Sequence, residues 1–271
     1  MSIAAEAAPT DELLFSIDDA GIARITLNRP QARNALTFAM YEGLVDLCGR
    51  IESDRSVKAV ILTGAGDKAF AAGTDIGQFR DFRTAEEALG YERFMDRVLG
   101  SLERLRVPTI AAVAGACTGG GMAIAAACDM RIASQDARFG IPIARTLGNC
   151  LSQSTLRRLS GLIGAPRVKD ILFTARLVGA EEARAIGFAN EVVADAAAVQ
   201  ARASELATLL ASHAPLTLQA TKEGLRRLSE QAGEGPAASG DDLIVLCYTS
   251  EDFREGMDAF LSKRPPSFKG R

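Results

Sequence analysis

Apolar residues recur along this chain in two rhythms. Leu13–Ile17 and Ile22–Leu27 are short alternating or apolar runs flanking Asp18-Asp19-Ala20-Gly21, a spacing that predicts a β-hairpin. Phe38, Tyr41, Leu44, Val45, Cys48 and Ile51 then repeat at helical spacing. Residues 57–63 (VKAVILT) read as a β-branched strand ended by Gly64, and a helix is expected over roughly 85–105. Thr109–Val113 and residues 130–133 read as further short strands. Strands alternating with helices predict an α/β architecture with a buried, partly parallel sheet.

Beyond Asp195 the rhythm becomes helical, over 196–212, 216–228 and 243–261, with Ser, Gly and Pro at the junctions and 233–236 (GEGP) as a loop. Thr249 reads as the N-cap of the last helix, with Asp252 three positions on as in a capping box. Phe253, Met257, Phe260 and Leu261 fall on one face of it. The expected organisation is a tail over 1–10, an α/β body over 11–195 and a helical region over 196–271 that packs against a neighbouring subunit.

Two stretches of small residues carry the candidate chemistry: 69–76 (AFAAGTDI) and 114–129 (AGACTGGGMAIAAACD). Each pairs a glycine turn with a helix-like segment. Glycine there lets the backbone take unusual dihedrals and lets another molecule approach the main chain. Two such turns can aim two backbone N–H groups at one spot, the layout of an oxyanion hole. Close helix–sheet packing is the competing explanation of the triple glycine. The uncharged run 107–128 is long enough to span a bilayer. Its Ala, Gly and Thr content, with Pro108 near its start, reads instead as strand, turn and short buried helix.

Composition narrows the picture. The 271 residues are 48% hydrophobic and 24% charged, enough for one large domain or a domain with an appendage. Lys and Arg number 31 against 34 Asp and Glu, with no long basic run, so there is no electrostatic case for a nucleic-acid partner. The opening MSIAAEAAPT lacks a cationic segment and a long apolar one, and is expected to be a disordered tail rather than a secretory leader. Five cysteines without CxxC spacing and a single histidine, His213, argue against a zinc site or a disulfide framework. A reducing, cytoplasmic setting fits. The lone histidine also removes a Ser-His-Asp or Cys-His triad from the first two hundred residues. His213, just before Pro215, reads as a surface or capping residue.

Five segments, in order, resemble the crotonase superfamily, the enoyl-CoA hydratase/isomerase family: 25–36 (ITLNRPQARNAL), 60–79 (VILTGAGDKAFAAGTDIGQF), 108–134 (PTIAAVAGACTGGGMAIAAACDMRIAS), 177–193 (LVGAEEARAIGFANEVV) and 249–269 (TSEDFREGMDAFLSKRPPSFK). The resemblance implies a spiral of ββα units that holds an acyl-CoA thioester, with C-terminal helices that build a homotrimer or a dimer of trimers. Coenzyme A is expected only as part of the substrate, with no other cofactor, and the composition above speaks against a metal and a membrane. The thioester oxygen would meet the backbone N–H groups of Thr74 and Gly120. Thr74 stands where the family usually has Ala. Asp75 reads as a helix-capping carboxylate that opens the next segment. Ala32, Arg33 and Ala35 map to the nucleotide end of coenzyme A, and Lys269, beside Phe268, to a C-terminal contact near its phosphate. Ala72, Asp75, Ile76, Ala123, Pro142, Ile143, Arg145 and Leu147 map to the remainder of the CoA-ester site.

The chain departs from that pattern where hydration needs two glutamates, one to activate water and one to protonate the α-carbon. The first would stand at Ala123. The second would follow FGIP (139–142), where Ile143 and Ala144 stand, and no Asp or Glu occurs between Ala137 and Arg167. The segment 144–154 (ARTLGNCLSQS) is one residue longer than the family's glycine-rich counterpart, which makes Arg145, Asn149, Cys150, Ser152 and Gln153 candidates to line an acyl pocket. The expected activity is therefore stabilisation of a thioester enolate in a reaction other than ordinary hydration. A short-chain hydratase with replacement acid/base groups and a non-catalytic CoA-ester-binding subunit are the alternatives. Asp81, Glu86, Glu87 and Glu92 are the nearest source of a replacement acid, although helical spacing reads them as a solvated charged face. Cys150 is a nucleophile candidate without a histidine to activate it. Apolar residues at Ala123 and Ile143 suit an apolar acyl chain, whereas Arg145 suits a carboxylated one.

Overall fold

A computed structural model describes residues 11–80, 82–231, 245 and 248–267. Two sheets carry the body. The larger orders its strands β1 (Leu13–Ile17), β2 (Ile22–Leu27), β3 (Ala59–Gly64), β5 (Thr109–Val113), β7 (Met130–Ser134) and β10 (Glu191–Val193). β1 and β2 form the antiparallel hairpin, turned at Gly21 with φ +81°, and every later neighbour in that sheet is parallel. Its central strands β3 and β5 are buried on both faces. On β3, Val60 and Leu62 pack with Leu44 and Ile51 of α1 (Phe38–Ser53) and Leu102 of α2 (Ala85–Glu103). Ala59 and Ile61 pack on the opposite face with Val199, Ala203 and Leu206 of α8 (Ala196–Ala211). Each fully buried branched side chain such as Ile61 contributes about 1.5–3 kcal/mol. The alternating strand–helix reading thus becomes a helix–sheet–helix sandwich.

The second sheet orders β4 (Ala69–Ala71), β6 (Ala116–Thr118), β8 (Arg138–Gly140) and β9 (Val178–Gly179). β4, β6 and β8 are mutually parallel, with Ala69 opposite Ala116 and Thr118 opposite Gly140. Three parallel neighbours therefore end along one edge. The segments that leave them run into a 3₁₀ turn (Ile76–Phe79), α3 (Gly120–Ala127) and α4 (Ile143–Thr146). The uncharged run 107–128 is thus β5, β6 and α3, and among the described residues no helix is long and apolar enough to cross a membrane.

Four helices between 143 and 185, α4, α5 (Gln153–Ile163), α6 (Ala165–Thr174) and α7 (Ala180–Ala185), precede α8, α9 (Pro215–Gln231) and α10 (Glu251–Leu261). Buried Arg131 ties α3 to this region: its guanidinium donates to the Ala125 and Cys128 carbonyls at the end of α3 and to Phe188 O.

Within the helical stretch expected over 243–261 the chain turns at Thr249–Ser250, and α10 begins afterwards. Ser250, not Thr249, is the cap: its Oγ accepts the Phe253 N–H at 2.9 Å, while Thr249 Oγ1 donates backwards to Val245 O. The expected tail over 1–10 and the loop over 233–236 lie outside the described residues.

Candidate active site

The parallel edge of the second sheet explains why the two glycine turns meet. Gly73 follows β4 by two residues and Gly119 follows β6 directly, so turns leaving neighbouring strands lie side by side. A Cβ placed on Gly119 would sit 3.3 Å from the Gly73 Cα. Both take positive φ, +115° at Gly73 and +54° at Gly119, where a side chain is strained. Gly120 admits nothing larger: a Cβ there would overlap the Tyr41 hydroxyl and lie 3.0 Å from Thr74 Oγ1.

Two main-chain amides stand free of the surrounding ladders. Leu36 bridges to Thr74 by donating to Gly73 O and accepting from Asp75 N–H, so the Thr74 amide takes no part in that bridge. Gly119 N–H is satisfied by Gly140 O, whereas Gly120 opens α3, where the first amides have no intrahelical acceptor. Thr74 and Gly120 both line one cavity of about 160 Å³, against the ~10–15 Å³ a single water needs. Amides beside one void can stabilise negative charge developing on a bound oxygen.

Ala72, Ile76, Ala123, Pro142, Ile143 and Leu147 line the same cavity, as do Asn149 and Cys150. Arg145 does not: it is exposed on α4, whose Ile143 and Thr146 face the void instead. Ser152 is buried beside the cavity, not on its wall, because it caps α5 through Thr155 N–H and donates to Asp96 Oδ1 at 2.8 Å. Gln153 is half-buried and also off the wall. Asp75 caps the 3₁₀ turn through Gly77 N–H at 3.2 Å and pairs with Arg29 at 3.2 Å.

The segment holding Ala32, Arg33 and Ala35 runs beside the first turn without entering the cavity. Arg33 O accepts from Ala72 N–H at 3.0 Å, Ala35 O accepts from Arg29, and the Arg33 side chain is exposed. Asn34, fully buried with φ +55°, donates to Ala65 O and Ala69 O and so clamps this segment to β4. Lys269 and Asp81 lie outside the described residues. Exposed Glu86 and Glu87 are the solvated face that was expected, and Glu87 closes a capping box with Thr84. His213 is exposed, after α8.

Glu92 departs from that reading. It is 7% exposed and lines the cavity beside Tyr91 and Met95. Tyr248 Oη donates to Glu92 Oε1 at 2.7 Å, and Asn149 Nδ2 donates to Tyr248 Oη at 2.9 Å. Burial pushes the Glu92 carboxyl up to about 7, against the opposing Tyr248 hydrogen bond. The sequence carries a signal for it: Glu92 shares a helical stripe with buried Ala88, Met95 and Leu99, at positions −4, +3 and +7. A second hydroxyl chain, Tyr41–Thr74–Tyr91 at 2.8 and 3.3 Å, spans the first turn. Burial raises both tyrosines above their ordinary range, which keeps them neutral donors. Among the described residues no cluster of His, Cys, Asp and Glu is arranged to hold a metal.

Comparisons with known proteins agree with this architecture. The family model described as enoyl-CoA hydratase/isomerase matches residues 18–271. A short-chain-enoyl-CoA hydratase of Clostridium acetobutylicum is 38% identical over 251 residues, 92% of this chain and 95% of its own. Among solved structures, a monofunctional enoyl-CoA isomerase from M. smegmatis superposes with a TM-score of 0.68 at 32% identity, covering 82% of this chain and 95% of that one. Methylmalonyl-CoA decarboxylase in complex with 2-nitronate-propionyl-CoA superposes with a TM-score of 0.86 at 26% identity, over 96% and 99%. The chain belongs to the enoyl-CoA hydratase/isomerase family of enzymes, with the crotonase fold. The three similar proteins differ in reaction, so the fold leaves this chain's own reaction open.

Proposed function

We propose that this enzyme binds an acyl-CoA thioester with its carbonyl oxygen between the Thr74 and Gly120 N–H groups and stabilises the enolate formed there. The observation that carries the reading is the contact of the two glycine turns at the end of neighbouring parallel strands, with both amides beside one cavity. Each such donor is worth roughly 3 kcal/mol in the transition state. Asp75, Arg29 and Asn34 then hold the turn, and Arg33 meets the nucleotide end from outside the cavity.

The reaction is one other than ordinary two-carboxylate hydration. Ala123 and Ile143, the positions where the resemblance would put the two acids, are apolar on the cavity wall. An apolar acyl group suits that wall, and the exposed place of Arg145 removes the reason for a carboxylated one. The assay is incubation with crotonyl-CoA, following loss of the conjugated thioester. Slow or absent hydration is expected; turnover within the ~1–10³ s⁻¹ usual for enzymes would overturn this part of the reading. A hydratase with replacement groups is the second reading, supported by the likeness to the Clostridium hydratase. Calorimetry with CoA esters separates both from a non-catalytic subunit, which would bind esters and turn over none.

We also place the chain in a homotrimer or a dimer of trimers. Leu225 and Leu228 of α9, three positions apart on one side of the helix, are 63% and 65% exposed, an apolar pair that a second copy would cover.

A further inference from the structure

Among the described residues on the cavity wall, Glu92 is the only side chain that carries a carboxylate, and the wall has no histidine, lysine or arginine. A reaction with one proton-transferring group must have that group take a proton and give it back. Two-carboxylate hydration does not meet that condition; a shift of a double bond along an acyl chain does.

We propose that Glu92 is the acid/base group of this cavity, moving a proton from the α-carbon to the γ-carbon of a β,γ-unsaturated acyl thioester and so producing the conjugated α,β isomer. The inference rests on the thioester reading above. The α C–H bond breaks as its proton passes to a Glu92 oxygen, and the electron pair delocalises onto the thioester oxygen. The C–H bond at the γ-carbon then forms with that proton, the double bond moves from β,γ to α,β, and Glu92 is again a carboxylate. No water, oxidant or second reactant is consumed.

The surroundings of Glu92 suit a group that changes protonation state. With Glu92 ionised, Tyr248 donates to it and accepts from Asn149 Nδ2, which leaves Asn149 Oδ1 buried without a partner among the described residues. With Glu92 protonated, its O–H donates to Tyr248 Oη, Tyr248 donates onward, and a flipped Asn149 amide receives that bond on Oδ1. The chain reverses direction and every member keeps a partner. Tyr248 and Asn149 are thus positioning residues. The ionisable groups that face Glu92 are Tyr91 and Asp96 from its own helix, Tyr41 from α1, Tyr248 from the C-terminal region and Cys150 from the loop before α5. Arg157 and Arg158 of α5 act on Asp96 and hold its charge in check.

The test uses the full chain with two probes, β,γ-hexenoyl-CoA as substrate and saturated hexanoyl-CoA as an unreactive ligand. The parent protein is expected to form the conjugated thioester, with kcat/KM rising through an acidic limb near neutral pH. Glu92→Gln should lower kcat by ~10²–10⁴-fold while hexanoyl-CoA binding is unchanged. Tyr248→Phe removes a bond that favours the carboxylate, so its acidic limb should move to higher pH. Hexanoyl-CoA binding without conversion of the unsaturated ester, parent-like turnover by Glu92→Gln, or an unmoved limb in Tyr248→Phe would overturn the proposal and leave the thioester reading standing. A parent protein that binds no hexanoyl-CoA would overturn both.

Discussion

The Glu92 carboxyl titrates near 7 in the folded chain against an ordinary value of 4.5, with burial as the main cause. Between those values the folded chain holds a proton that the unfolded chain has released, so stability falls as pH rises from about 4.5 to 7 and stays lower above. By linkage the loss is on the order of 3 kcal/mol. Glu92→Gln, which never ionises, should therefore gain in urea midpoint over the parent protein at pH 8 relative to pH 4.5; an equal difference at both pH values would refute this environment. Gly120 makes a second residue-scale prediction. Gly120→Ala should reduce turnover by ~10²-fold or more, because the new methyl group displaces the Tyr41 hydroxyl and the Thr74 side chain beside the amide. Adding Tyr41→Phe removes one of the clashing atoms and should restore part of the rate; a double variant no better than the single would place the damage elsewhere. At this scale the glycines were legible because their chemistry is local. Glu92 was not, because Glu86, Glu87 and Arg93 around it give the helix a charged appearance that hides one acidic residue on the apolar stripe.

Among elements, the hairpin, β3, β5 and the long helices follow directly from apolar rhythm. The adjacency of the two turns does not. β4, β6 and β8 are three residues each, too short for a period, and only their parallel pairing brings 72–75, 119–123 and 141–143 to one edge. The helices between 143 and 185 were hidden for a related reason. Arg158 takes a core-facing position on α5 and pairs with Glu103 of α2, so a charged residue stands where the helical pattern asks for an apolar one. Ser250 is the element-scale prediction. Replacing it with Ala removes the acceptor for Phe253 N–H and should cost about 1 kcal/mol, read as a lower urea midpoint. Thr249→Ala should cost less, since Thr249 donates only to Val245 O. The reverse order would restore Thr249 as the cap.

For the whole molecule, α9 sets the expectation. Sedimentation should give a mass of three or six chains, and replacing Leu225 and Leu228 together with Asp should shift it toward the monomer without unfolding the sheets. A variant that keeps the parent's mass would move the interface away from α9.

The cavity, too, belongs to more than the α/β body. Tyr248 and Phe260 come from the C-terminal region, and the Tyr248 ring packs tilted against Phe253 of α10 with ring centroids 4.8 Å apart. The part of the chain that completes the wall thus follows α9, the helix whose exposed leucines the proposed trimer would cover. If copies associate through α9 as proposed, dilution below the concentration at which they do so would loosen the C-terminal wall before the sheets, and specific activity would fall with it. In the proposed assembly, activity per chain would then rise with the abundance of the chain itself.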